Sequence, residues 1–194
     1  MLVRCRWAEY NDLMRGYHDK EWGIPIHDDF LLFEFLILEG AQAGLSWNTI
    51  LQKRENFRRA LDNFDFNKIA KYDEQKIEEL MNNKGIIRNK RKIEAVILNA
   101  KAFIEVQKEF VSFNKYIWKF VKYNTIVNEF KELSELPSKT ERSERMSEEL
   151  KKRGFKFVGP TICYAFMQAV GMVNDHIENC FRYDEINRII KKQH

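Results

Sequence analysis

The stretch that decides the fold runs from Phe30 to Ala43 and reads FLLFEFLILEGAQA. A helix with this sequence would be apolar nearly all round, so it would lie buried at the centre of a helical bundle. Asp29, directly before the run, is a typical helix N-cap residue. Gly40 and Gly44 predict a break at the end of this helix.

The segments that follow have helical patterns too. Ser46 begins a stretch whose apolar residues recur at helical spacing, and further helices are predicted over about 73–83, 89–109 and 113–123. With 8 Gly and 3 Pro in 194 residues, the chain has few of the turns that an all-β fold needs. The sequence therefore predicts an all-α fold, a compact helical bundle. We expect residues 1–194 to form a single domain of one or two helical lobes.

The most polar segment, KELSELPSKTERSERMSEELKKRG over residues 131–154, alternates in the sign of its charges. This pattern predicts a solvated loop that leads into a surface helix. After it, Val158-Gly159-Pro160 predicts a tight turn, and ICYAFMQAV predicts a buried helix that ends at Gly171.

Composition and charge exclude some classes of protein. No stretch approaches the roughly 18 uninterrupted apolar residues of a membrane span, and MLVRCRWAEYND lacks the apolar region of a signal peptide. Three cysteines are an odd number for a disulfide framework. We therefore expect a cytoplasmic protein with no membrane partner. The net charge of +4 favours a polyanionic partner, and the absence of a heptad pattern favours a monomer.

Four residues near the two ends of the chain form a candidate metal site. Cys5 and His18 lie near the N-terminus, while His176 and Cys180 have a spacing that puts both on one face of a helix. Zinc prefers four tetrahedral thiolate and imidazole ligands, and a site filled by four protein ligands is structural. A Cys–His pair at such a spacing, taken alone, is more often a coincidence or a packed thiol than a metal site. The other His and Cys residues suit loop, tail and core positions: His27, His194 and Cys163.

Two glutamates interrupt the apolar helix, and a spacing of five positions turns Glu34 and Glu39 roughly 140° apart around its axis. Glu39, beside Gly40 at the helix end, is a candidate carboxylate directed into a pocket. An exposed glutamate at the helix terminus is the alternative. Several aromatic residues near these motifs can stack on a flat base or a cation, or can pack in the core: Trp7, Tyr17, Trp22 and Trp47.

Taken in order, these motifs resemble a known family. They are CRW from Cys5, YHDKEWGIP from Tyr17, LEGAQAGLSW from Leu38, KRENFRRA from Lys53, GIIRNKRKI from Gly85, KKRGFKFVGPTICYAFMQAVGMVNDH from Lys151, and the closing Cys180. Over nearly its whole length the chain is similar to the type I, or Tag, family of 3-methyladenine DNA glycosylases, in the helix-hairpin-helix superfamily.

The resemblance implies a fold, a cofactor and an activity. The bundle would carry a helix-hairpin-helix DNA-binding motif, and one structural zinc ion on Cys5, His18, His176 and Cys180 would join the N- and C-terminal segments. The implied enzyme is a base-excision repair glycosylase that acts on double-stranded alkylated DNA. It flips out 3-methyladenine, hydrolyses the glycosidic bond, and leaves the free base and an abasic site.

The resemblance also implies roles for the pocket residues. Glu39 would be the catalytic residue. Tyr17 and Trp47 would bind the base, and Trp7 and Trp22 would form further walls.

DNA contacts are implied for two loops. Gln42, Gly44 and Leu45 would enter the DNA beside the lesion, with Leu45 as the apolar wedge. The turn at residues 158–161 would dock backbone amides on phosphates; it consists of Val158, Gly159, Pro160 and Thr161. The basic segment GIIRNKRKI would add attraction to the DNA backbone through Arg88, Lys90, Arg91 and Lys92.

Two positions bear on the type of chemistry. Superfamily members that also cut the strand place a lysine just after the hairpin glycine, and Thr161 near that place argues for a monofunctional enzyme without lyase activity. Asp175 lies in the region of an aspartate typical of the wider superfamily, and we assign it a structural role. Two other functions stay open on the residues alone: a zinc-dependent hydrolase with an open coordination position, and a non-catalytic, zinc-stabilised DNA-binding module.

Overall fold

The computed structural model describes residues 2–192, which contain ten α-helices, four short 3-10 helices and one pair of two-residue strands. The α-helices are α1 (Asp12–Lys20), α2 (Asp29–Gln42), α3 (Trp47–Ala60), α4 (Phe66–Ile69), α5 (Glu74–Asn82), α6 (Lys90–Phe110), α7 (Phe113–Trp118), α8 (Glu141–Lys152), α9 (Pro160–Ala169) and α10 (Phe181–Lys192). The strands are β1 (Ile126–Val127) and β2 (Val173–Asn174), and the 3-10 helices are Arg6–Tyr10, Asp62–Phe64, Lys119–Val121 and Leu133–Glu135. Among these helices, none is long and apolar enough to cross a membrane.

Helix α2 is the centre of the structure. Every residue from Leu32 to Ala41 is buried, and the helix contacts α3, α6, α7 and α9. Since burial of one large apolar side chain contributes about 1.5–3 kcal/mol, this helix supplies a large share of the core. The prediction of a central buried helix is confirmed.

The start of α2 differs from the prediction by one residue. The N-cap is Asp28, whose carboxylate accepts a hydrogen bond from the Leu31 amide at 2.9 Å. Asp29 is the first helical residue instead. Its carboxylate accepts hydrogen bonds from the amides of Phe113 and Asn114 at 2.9 and 2.7 Å, where a negative charge meets the positive end of α7.

The other predicted helices form with small shifts at their ends. Helices α3, α5 and α6 begin directly after Ser46, Asp73 and Asn89, and each of these side chains caps the helix by accepting a backbone amide. The helix predicted over 113–123 is shorter, because α7 ends at Trp118 and continues as a 3-10 helix.

Strands β1 and β2 are an addition to the predicted all-α fold. They pair in parallel, with Ile126 opposite Val173. The amide of Ile126 donates to the Met172 carbonyl at 3.0 Å, and that of Asn128 to the Asn174 carbonyl at 3.2 Å. The pair fixes the segment that leads to His176.

Helices α8 and α9 pack against each other and are joined by a loop over residues 153–159, here called the hairpin loop. The polar segment forms the predicted surface helix, but α8 also buries one face that includes Met146 and Leu150. Gly159 caps α9, and Pro160 occupies its first position, where no amide is needed. The predicted buried helix thus forms and ends at Ala169.

Gly171 connects α9 to β2 in a conformation that only glycine adopts easily. Its φ is +69°, and an added Cβ would lie 2.4 Å from the Ile24 carbonyl carbon and the Pro25 nitrogen. We expect Gly171→Ala to destabilise the protein by about 2–4 kcal/mol, because both left-handed strain and a backbone clash result. Gly16→Ala in α1, with nothing within 4 Å of its Cβ, should stabilise by about 0.5–1 kcal/mol. Urea unfolding midpoints would measure both, and equal midpoints would contradict this assignment.

Candidate active site and metal centre

The four candidate metal ligands converge on one point. Cys5, His18, His176 and Cys180 are all buried, and their ligand atoms lie within 4.8 Å of one another. The Cys180 sulfur is 3.4 Å from His18 Nε2 and 3.6 Å from His176 Nδ1, and the Cys5 sulfur is 3.7 Å from His176 Nδ1. A tetrahedral ion with bonds of about 2.3 Å to sulfur and 2.0 Å to nitrogen separates these atoms by about 3.6 Å. The cluster therefore fits one tetrahedral metal ion.

The second nitrogen of each histidine also has the partner that metal sites require. His18 Nδ1 lies 2.8 Å from an Asp19 carboxylate oxygen, and His176 Nε2 lies 3.1 Å from the Trp22 carbonyl oxygen. Carboxylate and backbone carbonyl partners of this kind fix the tautomer and orientation of metal-bound imidazoles. Arg4 in turn donates to Asp19 at 2.8 Å. The chemistry of the donor set and its surroundings both suit a metal ion.

Two of the remaining His and Cys residues, His27 and Cys163, lie away from the cluster. His27 is in the loop before α2 and contacts Asn114, and Cys163 is buried in α9, as predicted. His194 lies outside the described residues.

A cavity of about 300 Å³ contains all five of the predicted base-pocket residues. Four elements supply them: the 3-10 helix at Arg6–Tyr10, the end of α1 with its following turn, the end of α2, and the first turn of α3. Among the described residues, the lining consists of Trp7, Met14, Tyr17, Trp22, Glu39, Gln42, Trp47, Leu136, Ala165 and Gln168.

The sequence analysis did not identify four of these lining residues. Met14 is one helical turn before Tyr17, so helical spacing would have placed it on the same face. Leu136 lies in the loop before α8, and Ala165 and Gln168 lie on α9. Only the tertiary packing brings these three to the cavity.

Glu39 is the electrostatic feature of this cavity. Its side chain is 4% exposed, so the alternative of an exposed terminal glutamate is wrong. Within residues 2–192 its carboxyl group has no hydrogen-bond partner. Burial raises the pKa of Glu39 to about 8. A neutral acid therefore predominates here below that pH.

The other glutamate of α2 has the opposite environment. Glu34 is buried and accepts hydrogen bonds from Arg54 at 2.6 Å and from Arg58 at 2.7 Å. Arg54 also donates to Glu21 at 2.6 Å. The angular separation of the two glutamates thus directs one carboxylate to an ion-pair network and the other to the cavity.

Aromatic rings form the walls around Glu39. Trp7 and Trp22 pack edge to face at 5.1 Å, and Tyr17 lies 5.3 Å from Trp47 between ring centroids. Burial, and then the charge of Glu39, raise the pKa of Tyr17 well above its ordinary value, so its hydroxyl stays protonated. Flat aromatic walls with one buried carboxyl group suit a flat, cationic ring.

The same aromatic rings contact the metal cluster. Trp22 packs on the ring of His176 at 4.6 Å, and Trp7 packs on that of His18 at 5.2 Å, both edge to face. The cavity and the metal centre therefore share one wall.

The residues predicted to enter DNA lie in one loop beside the cavity, residues 42–46, here called the wedge loop. Gln42 ends α2 and lines the cavity. Gly44 has φ +76°, and the Leu45 side chain next to it is 39% exposed. An apolar side chain is thus presented to solvent close to the cavity.

The residues predicted to bind phosphates lie in the hairpin loop and the first turn of α9. Thr161 is exposed, and Gly159 and Pro160 are half-buried. Val158 differs, because its side chain is 2% exposed and its carbonyl accepts a hydrogen bond from the Ser147 hydroxyl at 2.6 Å. Any contact of Val158 with DNA is restricted to its backbone.

The basic residues before and within α6 differ in the partners of their charged groups. Arg88 and Arg91 form no ion pair within the described chain, and Lys90 pairs with Glu74 at 3.3 Å. Lys92 differs from these residues, because its ammonium group donates to the carbonyls of two residues at the end of α2.

Asp175 forms the hydrogen bonds of a buried structural residue. It is buried and accepts hydrogen bonds from Asn128 at 2.7 Å, Tyr164 at 2.6 Å and Gln168 at 2.8 Å. Since Gln168 lines the cavity, Asp175 supports one wall of the cavity without lining it.

Comparison with known proteins agrees with this geometry. Residues 7–183 match the family described as methyladenine glycosylase. A Haemophilus influenzae DNA-3-methyladenine glycosylase is 48% identical over 180 residues, which cover 93% of this chain and 97% of the relative. The crystal structure of a 3-methyladenine DNA glycosylase I has a TM-score of 0.90 at 47% identity, and covers 92% of this chain and 98% of that chain.

A second solved structure contains a ligand. It is a 3-methyladenine DNA glycosylase I with phenylalanine in place of a tyrosine, in complex with 3-methyladenine; its TM-score is 0.89 at 31% identity, and the match covers 92% of this chain and 96% of that chain. The class of protein is thus an enzyme, an N-glycosylase. The chain belongs to the methyladenine glycosylase family.

The buried Glu39 carboxyl group predicts a pH-dependent cost to stability. Its folded-state pKa is about 8, while an unfolded glutamate titrates near about 4.3. Between these values the native state binds more protons, so its stability falls as the pH rises. Compared with Glu39→Gln, the wild type should lose on the order of 4 kcal/mol of unfolding free energy from about pH 4 to pH 9.

Urea unfolding at several pH values would measure this difference. Glu148→Gln, at an exposed position on α8, should give a curve parallel to that of the wild type. A wild-type-to-Glu39→Gln difference that is constant with pH would contradict the burial of a titrating group.

Proposed function

We propose that this chain excises 3-methyladenine from alkylated double-stranded DNA by hydrolysis and leaves an abasic site. One observation carries the proposal: the buried Glu39 carboxyl group, which has no hydrogen-bond partner in the described part of the chain, faces a cavity with aromatic walls. The activity of the glycosylase relatives, and the relative with bound 3-methyladenine, support the same substrate.

The chemistry of the substrate explains why so few catalytic groups are needed. Alkylation at N3 makes the adenine cationic, which weakens its bond to deoxyribose, so the departing base needs little or no protonation. A poorly stacked, damaged base also costs less to flip out of the duplex. The enzyme then works mainly by binding and positioning the base.

Glu39 is the catalytic residue in this proposal. A bound cation favours the ionised form of Glu39, which then accepts hydrogen bonds from the base edge and stabilises positive charge in the cavity. Tyr17 and Trp47 stack on the ring, and Trp7 and Trp22 complete the walls. Normal adenine lacks the positive charge, so Glu39 and the aromatic rings stabilise it less.

Two loops would bind the DNA around the flipped base. Leu45 in the wedge loop fills the gap beside the lesion, and Gln42 and Gly44 approach the neighbouring backbone. Helices α8 and α9 with the hairpin loop form the proposed helix-hairpin-helix motif. The free amides of Gly159 and Thr161 at the start of α9 then bind a phosphate.

We infer a monofunctional enzyme, without lyase activity. Strand cleavage by this superfamily proceeds through a lysine amine that forms a Schiff base with the sugar. Among the described residues, no lysine lines the cavity, and Thr161 follows the hairpin at the place of that lysine.

We infer that the metal is one structural zinc ion. Cys5, His18, His176 and Cys180 fill four tetrahedral positions, so none is left open for the water that a zinc-dependent hydrolase needs. When bound, zinc supplies folding stability at the junction of the two chain ends. We also expect one domain and a monomer, in a reducing cytoplasm that leaves the thiols free for the metal.

Release of base from methylated DNA is the direct test. Glu39→Gln should release 3-methyladenine about 10- to 100-fold more slowly, because one charge-assisted interaction with the cation is lost. Glu34→Gln is the matched control in the same helix. It should lower the melting temperature, since Arg54 and Arg58 lose their partner, but leave release per folded molecule unchanged.

Two results would overturn parts of this proposal. Undiminished release by Glu39→Gln would remove Glu39 from the mechanism. Binding of methylated DNA by the wild type without any release of base would favour the non-catalytic DNA-binding module.

Metal analysis tests the zinc proposal separately. The purified wild type should contain about one zinc per chain, and the double variant Cys5→Ser, Cys180→Ser should lose the metal and several kcal/mol of stability, roughly as expected for a structural site. Cys163→Ser is the control, because Cys163 is also buried but lies outside the cluster. No zinc in the wild type, with a double variant that melts normally, would refute the site.

A further inference from the structure

Two side chains on one face of α6 contact the two loops that are proposed to bind DNA. Lys92 and Asn99 are seven residues apart, so they project from the same side of the helix, about 10 Å apart along its axis. Gly40, near the start of the wedge loop, and Phe157, in the hairpin loop, line one small cavity together with both side chains. Helix α6 thus meets both loops at one place.

Lys92 holds the start of the wedge loop. Its ammonium group donates to the carbonyl of Ala41 at 2.8 Å and to that of Ala43 at 2.6 Å. These carbonyls lie at the C-terminal end of α2, where carbonyl groups lack helical partners. A cation is also favoured at this end of the helix dipole. Lys92 therefore fixes the backbone directly before Gly44 and Leu45.

Asn99 holds the hairpin loop in a similar way. Its side chain is 3% exposed, donates to the Lys156 carbonyl at 3.0 Å and accepts from the Lys156 amide at 2.7 Å. A single side chain thus satisfies both backbone groups of one loop residue. The next residue, Phe157, has φ +54° and packs so closely on Gly40 that an added Cβ there would meet it at 3.3 Å.

We propose that Lys92 and Asn99 are positioning residues that hold the wedge loop and the hairpin loop at a fixed spacing. This inference rests on the proposed function. When the hairpin loop docks on a phosphate, the fixed spacing brings Leu45 to the base stack at the neighbouring nucleotide. Neither residue contacts the base pocket itself, since neither lines the cavity that contains Glu39.

The two residues should affect different kinetic constants. Lys92→Met should lower kcat for excision about tenfold or more, with little change in KM, because the wedge loop acts during extrusion of the base. Asn99→Leu should raise KM for DNA about tenfold and leave kcat at saturation unchanged, because the hairpin loop acts in phosphate binding. Both variants should bind free 3-methyladenine as the wild type does.

A double-mutant cycle tests whether Lys92 acts through the wedge. In a Leu45→Ala background, Lys92→Met should cause less than a twofold further loss of kcat. Lys101→Met is the charge-matched control, because Lys101 is exposed on α6 and forms no ion pair among the described residues. It should leave kcat and KM unchanged. If the loss of kcat in the double variant equals the product of the losses in the two single variants, the proposal is overturned. The same holds if Lys92→Met has the kcat of the wild type.

Amide hydrogen exchange tests the positioning of the two loops independently of the proposed glycosylase activity. Lys92→Met should speed exchange in the wedge loop, and Asn99→Leu should speed it in the hairpin loop, each by about tenfold or more. Unchanged exchange in both would overturn the positioning role. Absence of base release by the wild type, with the expected exchange pattern, would refute the enzyme activity while the positioning of the loops stands.

Discussion

The burial of α2 from Leu32 to Ala41 is the constraint on which the rest of the structure depends. A helix that is apolar on all sides has to be surrounded by other helices, and α3, α6, α7 and α9 provide this cover. The helix also takes two carboxyl groups into the interior. Glu34 is compensated by two arginines, whereas Glu39 has no partner among residues 2–192. The uncompensated group lies in the cavity, and buried groups with an energetic cost of this kind cluster at functional sites.

The metal centre and the cavity form one structural unit. His176 is fixed by the backbone carbonyl of Trp22 and packs against its ring, while His18 packs against Trp7. Both tryptophans line the cavity. The segments around Cys5 and Cys180 therefore meet behind an aromatic wall, and a metal ion bound between them would also set the position of that wall.

The starts of several helices could be predicted from the sequence, because they depend on interactions between neighbouring residues. Ser46, Asp73 and Asn89 cap helices through their own neighbouring amides, so the starts of α3, α5 and α6 were predictable. The Cys and His residues were few enough to define the metal cluster. Leu136 and Gln168 were missed, because only packing between distant segments brings them to the cavity.

The role of a charged residue was the least predictable feature. Within a basic segment, Lys92 has the same sequence pattern as its neighbours, yet it donates to two backbone carbonyls. The ion-pair network of Glu21, Glu34 and Arg54 joins α2 and α3 to the turn after α1, and no local pattern indicates it. Likewise, strands of two residues carry no recognisable alternation. Each of these depends on a partner far away in the chain.

The raised pKa of Glu39 has a consequence for how the cavity handles charge. Below about pH 8 the empty cavity contains a proton on this carboxyl group. A cationic ring that enters favours the carboxylate and expels that proton. One positive charge replaces another, so the cavity behaves as a cation exchanger and its net charge is the same before and after binding. The apparent heat of binding then includes the heat with which the buffer takes up the released proton, and a neutral ring of the same shape produces no such exchange.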